Sequence, residues 1–171
     1  MISTEHLSIR RITASDWKSI QTIWAEVQKT EYAQYDTPKD ITDEAVAQRI
    51  AKWGSFADSS EHLFFGVCSE QALIGYIAVH RRETGYEIGY CFHPENWGKG
   101  YARESIAALL KDLKSQGTMC IRAGTALNNT PSVKLLLSLG FRKVGSEKVT
   151  FYKDSQGNDL FFDGGIFELR I

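Results

Sequence analysis

A mixed α/β sheet with helices packed on it is the fold class that the sequence of 171 residues predicts. Three observations carry that reading. Apolar runs of strand length recur along the chain; three of them, at 62–68, 72–81 and 86–92, follow one another with only short polar breaks; and stretches of helical period precede and follow that meander.

Taken in order, residues 7–12 (LSIRRI) alternate as a strand. Thr13-Ala14-Ser15-Asp16 reads as a capping box opening a helix with Trp17, Ile20, Trp24 and Val27 on one face. Residues 31–40, which contain Pro38, read as a loop. A second short helix follows with Val46, Ile50 and Trp53 inward, and its period fades at Gly54. Ser69-Glu70-Gln71 is a hairpin signal between the first two meander strands, and Thr84-Gly85 precedes the third, which is the fourth strand of the chain. After a glycine-containing loop, Ala102, Ile106, Leu109, Leu110 and Leu113 share one helical face that ends near Gly117. A strand at 119–125, a helix at about 130–139 closed by Gly140, and strands around 142–152 and 160–170 complete the order β-α-α-β-β-β-α-β-α-β-β, with about four helices in all. No repeat, low-complexity tract or linker interrupts it, so one domain is expected over residues 1–171.

Composition limits the function. With 43% hydrophobic residues, 24% charged residues and a formal net charge of -1, the chain has no bulk attraction for nucleic acid or for a membrane surface. The first 30 residues mix Glu5, His6, Arg10, Arg11 and Asp16 among apolar positions, unlike a signal peptide, and no later segment is apolar for long enough to span a bilayer. A cytoplasmic protein is expected. Cys68, Cys91 and Cys120 are odd in number, widely spaced and outside any C-x-x-C, which predicts reduced thiols and no metal site.

The most informative stretch is HPENWGKGYARES, residues 93–105, where a strand hands over to a helix. Glycines there let the backbone turn its amides outward, and the free N–H groups of the first helical turn, with the positive dipole end, form an anion site suited to phosphate. A plain glycine turn remains the alternative. Two common nucleotide motifs fail: Lys99 is followed by Gly100 where a P-loop needs Ser or Thr, and Arg103 occupies the third glycine place of a dinucleotide fingerprint.

With the run YEIGYCFHPENWGKGYARES and the later LNNTPSVKLLLSLGFRKVG, the second half of the chain resembles the GCN5-related N-acetyltransferase (GNAT) superfamily, specifically its ribosomal-protein-alanine (RimJ/RimL-like) branch. The resemblance implies the GNAT fold, with a mixed, mostly antiparallel central sheet flanked by about four helices. It also implies acetyl-CoA as cosubstrate, held by the fourth strand and the loop after it: Cys91, Phe92 and His93 on the strand end, and the amides of Gly98, Lys99, Gly100, Tyr101, Ala102 and Arg103 on the pyrophosphate. Trp97 stands where the family's loop pattern has Gln or Arg. Asn129-Thr130-Pro131-Ser132 matches the segment opening the next helix, with Asn129 both a helix cap and a cofactor contact, and Leu139-Gly140-Phe141 matches that helix's ending.

The implied chemistry is direct acetyl transfer to a primary amine. An alkylammonium has a reference pKa of about 10.4, so reaching the free amine at neutral pH costs roughly 4 to 5 kcal/mol. A proton acceptor and oxyanion stabilisation are therefore needed. Alternation puts Glu87, Gly89, Cys91 and His93 on one face of the fourth strand, and the resemblance makes Glu87 the expected base, acting through water, with His93 second. A surface ion pair is the other reading of Glu87. The tyrosine that many relatives carry one turn into the next helix is Leu136 here; Ser132 is expected to support the departing sulfur instead, unless it only bonds its own helix. Cys91 has no adjacent base, and covalent catalysis is not expected.

For the acceptor, Glu31, Asp36, Asp40, Asp43 and Glu44 stand against Lys39 alone, with Tyr32 and Tyr35 among them. That rim suits a cationic amine: a protein N-terminus, a polyamine or an aminoglycoside-like compound. Acidic residues favouring the start of the second helix explain three of them equally well. A monomer or homodimer is expected. A catalytically silent acyl-CoA sensor of the same fold is the alternative function, given weight by Leu136; a nucleotide module binding ATP or NAD is disfavoured by the failed motifs.

Overall fold

The alternating and helical runs become eight strands and four α-helices in the computed structural model, which describes residues 1–171. The strands are β1 (Ile2–Ser3), β2 (Leu7–Arg11), β3 (His62–Ser69), β4 (Ala72–Arg82), β5 (Gly85–Phe92), β6 (Cys120–Ala126), β7 (Arg142–Lys153) and β8 (Asp159–Arg170). The helices are α1 (Trp17–Val27), α2 (Asp43–Gly54), α3 (Tyr101–Ser115) and α4 (Thr130–Ser138). All eight strands join one sheet in the order β1-β2-β3-β4-β5-β6-β8-β7. Every neighbouring pair is antiparallel except β5 and β6, which run parallel because α3 crosses back between them.

Alternation along the central strands divides the interior into two cores, one on each face. Ile77 and Val79 of β4 and Ile88 and Phe92 of β5 point to the face covered by α3 and α4, where they meet Ile106, Leu109, Leu113 and Leu136. Phe64 of β3 and Tyr76 of β4 point to the other face and meet Ile20, Ile23 and Trp24 of α1 and Val46 and Ile50 of α2. Gly75 is required by this packing, since a Cβ there would lie 2.3 Å from the Phe92 ring.

The sequence leaves some elements unseen. β1 has two residues, too few to display a period, and forms by pairing Ile2 with Ile9 and Ser3 with Ser8. The predicted fourth strand is consequently the fifth. The capping box at Thr13 opens a short 3-10 turn, Ala14–Asp16, that runs into α1; the Asp16 carboxylate accepts the Thr13 N–H at 2.8 Å and two N–H bonds from Arg10 at 2.8 and 2.7 Å. Within the predicted loop, Glu31–Tyr35 makes another 3-10 turn. No helix is long and apolar enough to cross a membrane.

Candidate active site

The β5–β6 pairing stops early. Only Tyr86–Ile121, Glu87–Arg122 and Ile88–Ala123 are matched, although β5 continues to Phe92 and β6 to Ala126. Beyond those three pairs the strands diverge into a wedge. Gly89 and Gly124 are the next residues on the two strands, and a Cβ at either would meet nothing within 4 Å, so the apex is open on both sides. The His93 N–H donates to the Ile74 carbonyl on β4 at 2.8 Å. Alternation then turns the N–H groups of Phe92 and Tyr90 the other way, into the wedge.

The loop at the mouth of the wedge is a cradle of amides. Gly98 has φ +73° and Gly100, which caps α3, has φ +82°. A Cβ at either position meets nothing within 4 Å, so glycine is needed for the left-handed backbone rather than for space. None of the six amide groups from Gly98 to Arg103 finds a backbone acceptor in the chain. A run of unpartnered N–H donors leading into a helix N-terminus fits the pyrophosphate of a coenzyme A thioester. Trp97 explains its own departure from the family pattern: its indole N–H donates to the wedge-facing Phe92 carbonyl at 2.9 Å, pinning the loop to the end of β5.

On the far side of the wedge stands α4. Asn129 caps it, its side-chain oxygen accepting the Ser132 N–H at 3.3 Å. The Ser132 hydroxyl lies 2.8 Å from the Tyr90 hydroxyl. Burial pushes the Tyr90 phenol up to about 12, against the lowering effect of that hydrogen bond, so it keeps its proton at neutral pH. Leu136 is fully buried in the core. With Leu136 turned inward, the hydroxyl that meets Ser132 is that of Tyr90, from β5. A Tyr two residues before Phe92 on the strand face shared with α4 was the only sequence signal for it.

Wedge, cradle and acceptor side form one cleft of about 1040 Å³. Cys91, Phe92, Gly98, Gly100, Tyr101, Ala102, Arg103, Asn129 and Ser132 line it. Three expected site residues do not. His93 caps the turn Pro94–Asn96, its Nδ1 accepting the Glu95 N–H at 3.3 Å. Lys99 turns its ammonium toward Asn96, 3.5 Å away, leaving only its amide at the cradle. Glu87 pairs with Arg82 at 2.8 Å with 45% of its side chain exposed. The cleft is reached instead by His80, the β4 residue in register with Glu87. Burial, then the nearby His62 and Arg82, hold the His80 imidazole below its ordinary pKa, with Glu87 opposing, so the ring is neutral at pH 7. Burial pushes the Cys91 thiol up to about 12, away from the thiolate form that nucleophilic catalysis needs.

The acidic rim read from residues 31–47 is not formed. Of its carboxylates, Asp36 alone lines the cleft, and it is paired with Lys39. Asp43 turns away to Lys18 at 2.9 Å and Gln21 at 2.8 Å, Asp40 accepts the Thr42 N–H at 2.9 Å, and Glu44 holds Gln48 at 3.2 Å.

The acetyltransferase (GNAT) domain family matches residues 6–142. The chain belongs to that family and is an acyltransferase of the N-acetyltransferase kind. It is 27% identical over 164 residues to N-acetyltransferase YnaD of Bacillus subtilis (strain 168), covering 94% of each chain. Its fold is similar to the ribosomal-protein-S5-alanine acetyltransferase of Vibrio fischeri, with TM-score 0.81, 24% identity and coverage of 98% and 94%. It is also similar to yncA of Salmonella typhimurium, solved with its cofactor acetyl-CoA, with TM-score 0.76, 20% identity and coverage of 97% and 94%. These structural likenesses establish the GNAT fold; the RimJ/RimL branch is not established by them.

Proposed function

We propose that this GNAT domain transfers the acetyl group of acetyl-CoA to a primary amine by direct attack in a ternary complex. One observation carries the reading: a run of six unpartnered amides, Gly98 to Arg103, opens into a wedge whose edges carry free N–H groups and a paired hydroxyl. Acetyl-CoA, the ligand named for the yncA structure, supplies an activated carbonyl and a thiolate leaving group. The amides of residues 98–103 hold its pyrophosphate, the Phe92 N–H bonds the pantetheine arm along the open edge of β5, and the Tyr90 N–H is left for the thioester carbonyl.

The Tyr90 N–H stands where negative charge develops on the carbonyl oxygen. As the C–S bond breaks, the Ser132 hydroxyl donates a hydrogen bond to the departing thiolate, and the proton taken up by His80 leaves to solvent, from which the released thiolate is protonated. Tyr90 donates to the Ser132 oxygen and so fixes the direction of the Ser132 O–H. The attacking amine comes from the α1/α2 face and loses its proton to the neutral His80, directly or through water, with Glu87 beside it. Glu87 in this scheme raises the basicity of His80 rather than touching the amine. The ribosomal-protein acetyltransferase likeness and Ser132 are compatible with a related chemistry, but acceptor choice lies with the α1/α2 side of the cleft.

The test is incubation of the purified protein with acetyl-CoA and a panel of amines, reading thiol release and product mass together. Acetylated amine with stoichiometric thiol supports the reading. Acetyl-CoA that binds and is never turned over with any amine contradicts it and returns the chain to an acyl-CoA sensor.

A further inference from the structure

The α1/α2 side of the cleft holds a cation that nothing in the acetyl-transfer scheme uses. Arg49 lies on α2 at the exposed edge of the Val46–Ile50–Trp53 stripe, where the helix borders the cleft. Its guanidinium sits 5.5 Å above the Trp24 ring and lines the cleft. It forms no ion pair. Lys39, 5.9 Å from the same ring, is neutralised by Asp36. Asp40, whose carboxylate feels Arg49, bonds Thr42 instead. His80 adds no negative charge. The acceptor side therefore presents one uncompensated, planar, bidentate cation.

Around that cation the walls are aromatic and rigid. Trp53 stacks on Phe64 at 4.4 Å with 6° between planes, and the Trp24 indole N–H donates to the Tyr76 hydroxyl at 3.0 Å. The floor beside them is small, at Ala78 and Gly89. At the far end Tyr32 meets Trp97 at 5.7 Å, Tyr35 meets Phe162 at 5.3 Å, and the Tyr152 hydroxyl donates to the Ala33 carbonyl at 3.3 Å. Those contacts tie residues 31–35 to the cofactor loop and to the β7–β8 hairpin and bound the cleft at that end.

We propose that this side of the cleft is an acceptor subsite for a small amino acid with an apolar or aromatic side chain, and that Arg49 binds its carboxylate. The proposal rests on the acetyl-transfer reading above. An Arg fork matches a carboxylate in two parallel hydrogen bonds, and the stacked Trp53–Phe64 wall offers a flat surface to the side chain. The amine is then presented toward the wedge. A polyamine would bring further positive charge to Arg49, and a polypeptide N-terminus would have to pass the Tyr32–Trp97 contact.

The experiment compares L-phenylalanine, L-phenylalaninamide, spermidine and a peptide with a free N-terminus as acceptors for the full chain with acetyl-CoA. Phenylalanine should exceed its amide in kcat/KM by about tenfold or more, the value of a hydrogen-bonded charge. Arg49→Ala should lower the phenylalanine value by about ten- to hundredfold and the amide value far less, and Arg49→Lys should restore part of the difference. Equal rates with the acid and the amide in the unmodified protein, equal losses for both in Arg49→Ala, or preference for spermidine or the peptide would each overturn the subsite while leaving acetyl transfer in place. Binding of acetyl-CoA without transfer to any amine would overturn acetyl transfer itself, and the subsite with it.

Discussion

The two faces of the sheet open onto the same wedge and build their sites by different means. On the α3/α4 face, the proposed cofactor site is made of main chain: amides 98–103, the wedge-facing N–H groups of Tyr90 and Phe92, and the capped start of α4. On the α1/α2 face, the proposed acceptor site is made of side chains gathered from α1, α2, β3 and β4: Trp24, Arg49, Trp53, Phe64 and His80. A main-chain site tolerates many side chains but needs glycine at positive φ and a cap at a helix start. A side-chain site has no such local requirement. Substitutions on the first face should therefore act on cofactor binding and the leaving sulfur, and those on the second on the acceptor and its proton.

The largest expected effect is at Ser132. Ser132→Ala should lower kcat by about 10² to 10³-fold, the range for removing one donor to charge that develops in the transition state, with acetyl-CoA affinity nearly intact. Tyr90→Phe removes only the group that orients Ser132 and should cost about tenfold, the worth of one hydrogen bond. Steady-state kinetics beside a binding isotherm separate the two, and equal losses in affinity would mean that the pair merely shapes the wedge.

Next in size is the wedge itself. Gly124→Val has an ordinary backbone and open space before it, so it should fold normally. Alternation points its side chain, like that of Gly89, to the α1/α2 face at the apex of the wedge, where it should crowd the reacting carbonyl and the amine and lower kcat/KM by about a hundredfold, with acetyl-CoA affinity reduced less. Gly100→Val is the less clean probe, since a Cβ at φ +82° costs about 1–2 kcal/mol by itself. Calorimetric titration with thermal melts distinguishes lost binding from lost folding.

A smaller effect sharpens the other face. Because burial holds His80 below 6.5, its base form persists as pH falls through 6.5, and kcat/KM should decline only below that value. His80→Gln should abolish that acidic limb. Glu87 raises the His80 pKa, so Glu87→Gln should move the limb to lower pH and keep it. A Glu87→Gln enzyme with no acidic limb would make Glu87 the base and His80 a bystander. The smallest effect is expected at Cys91: its thiol, pushed up to about 12, takes no part in the chemistry, so Cys91→Ala should retain most activity with intersecting, not parallel, initial-rate lines.

The same contrast explains what the sequence could reveal. Asn129 and the glycines of 93–105 are legible because a cap and a left-handed turn are encoded within a few residues. The helical stripes at Ile106–Leu113 and Val46–Trp53 are legible because burial imposes a period. The Tyr90–Ser132 contact joins residues 42 positions apart, and nothing local distinguishes Tyr90 from a core aromatic. Glu87 was readable as an ionisable group on a central strand, but not that Arg82 holds its carboxylate. The acidic composition of 31–47 was real; Asp43 is turned by Lys18 and Gln21 where α1 packs on α2, while Asp36, Asp40 and Glu44 are taken by Lys39, Thr42 and Gln48 within a few residues of themselves.

The most direct measurement is amide hydrogen exchange with and without acetyl-CoA. In the free protein the amides of 98–103, lacking partners, should exchange rapidly. Saturating acetyl-CoA should slow them together with those of Tyr90 and Phe92, while amides on the α1/α2 face change little until an acceptor is added. Protection that appears first on α2 and β3, with residues 98–103 still exchanging freely in the bound protein, would contradict a cofactor site built from the main chain of this wedge.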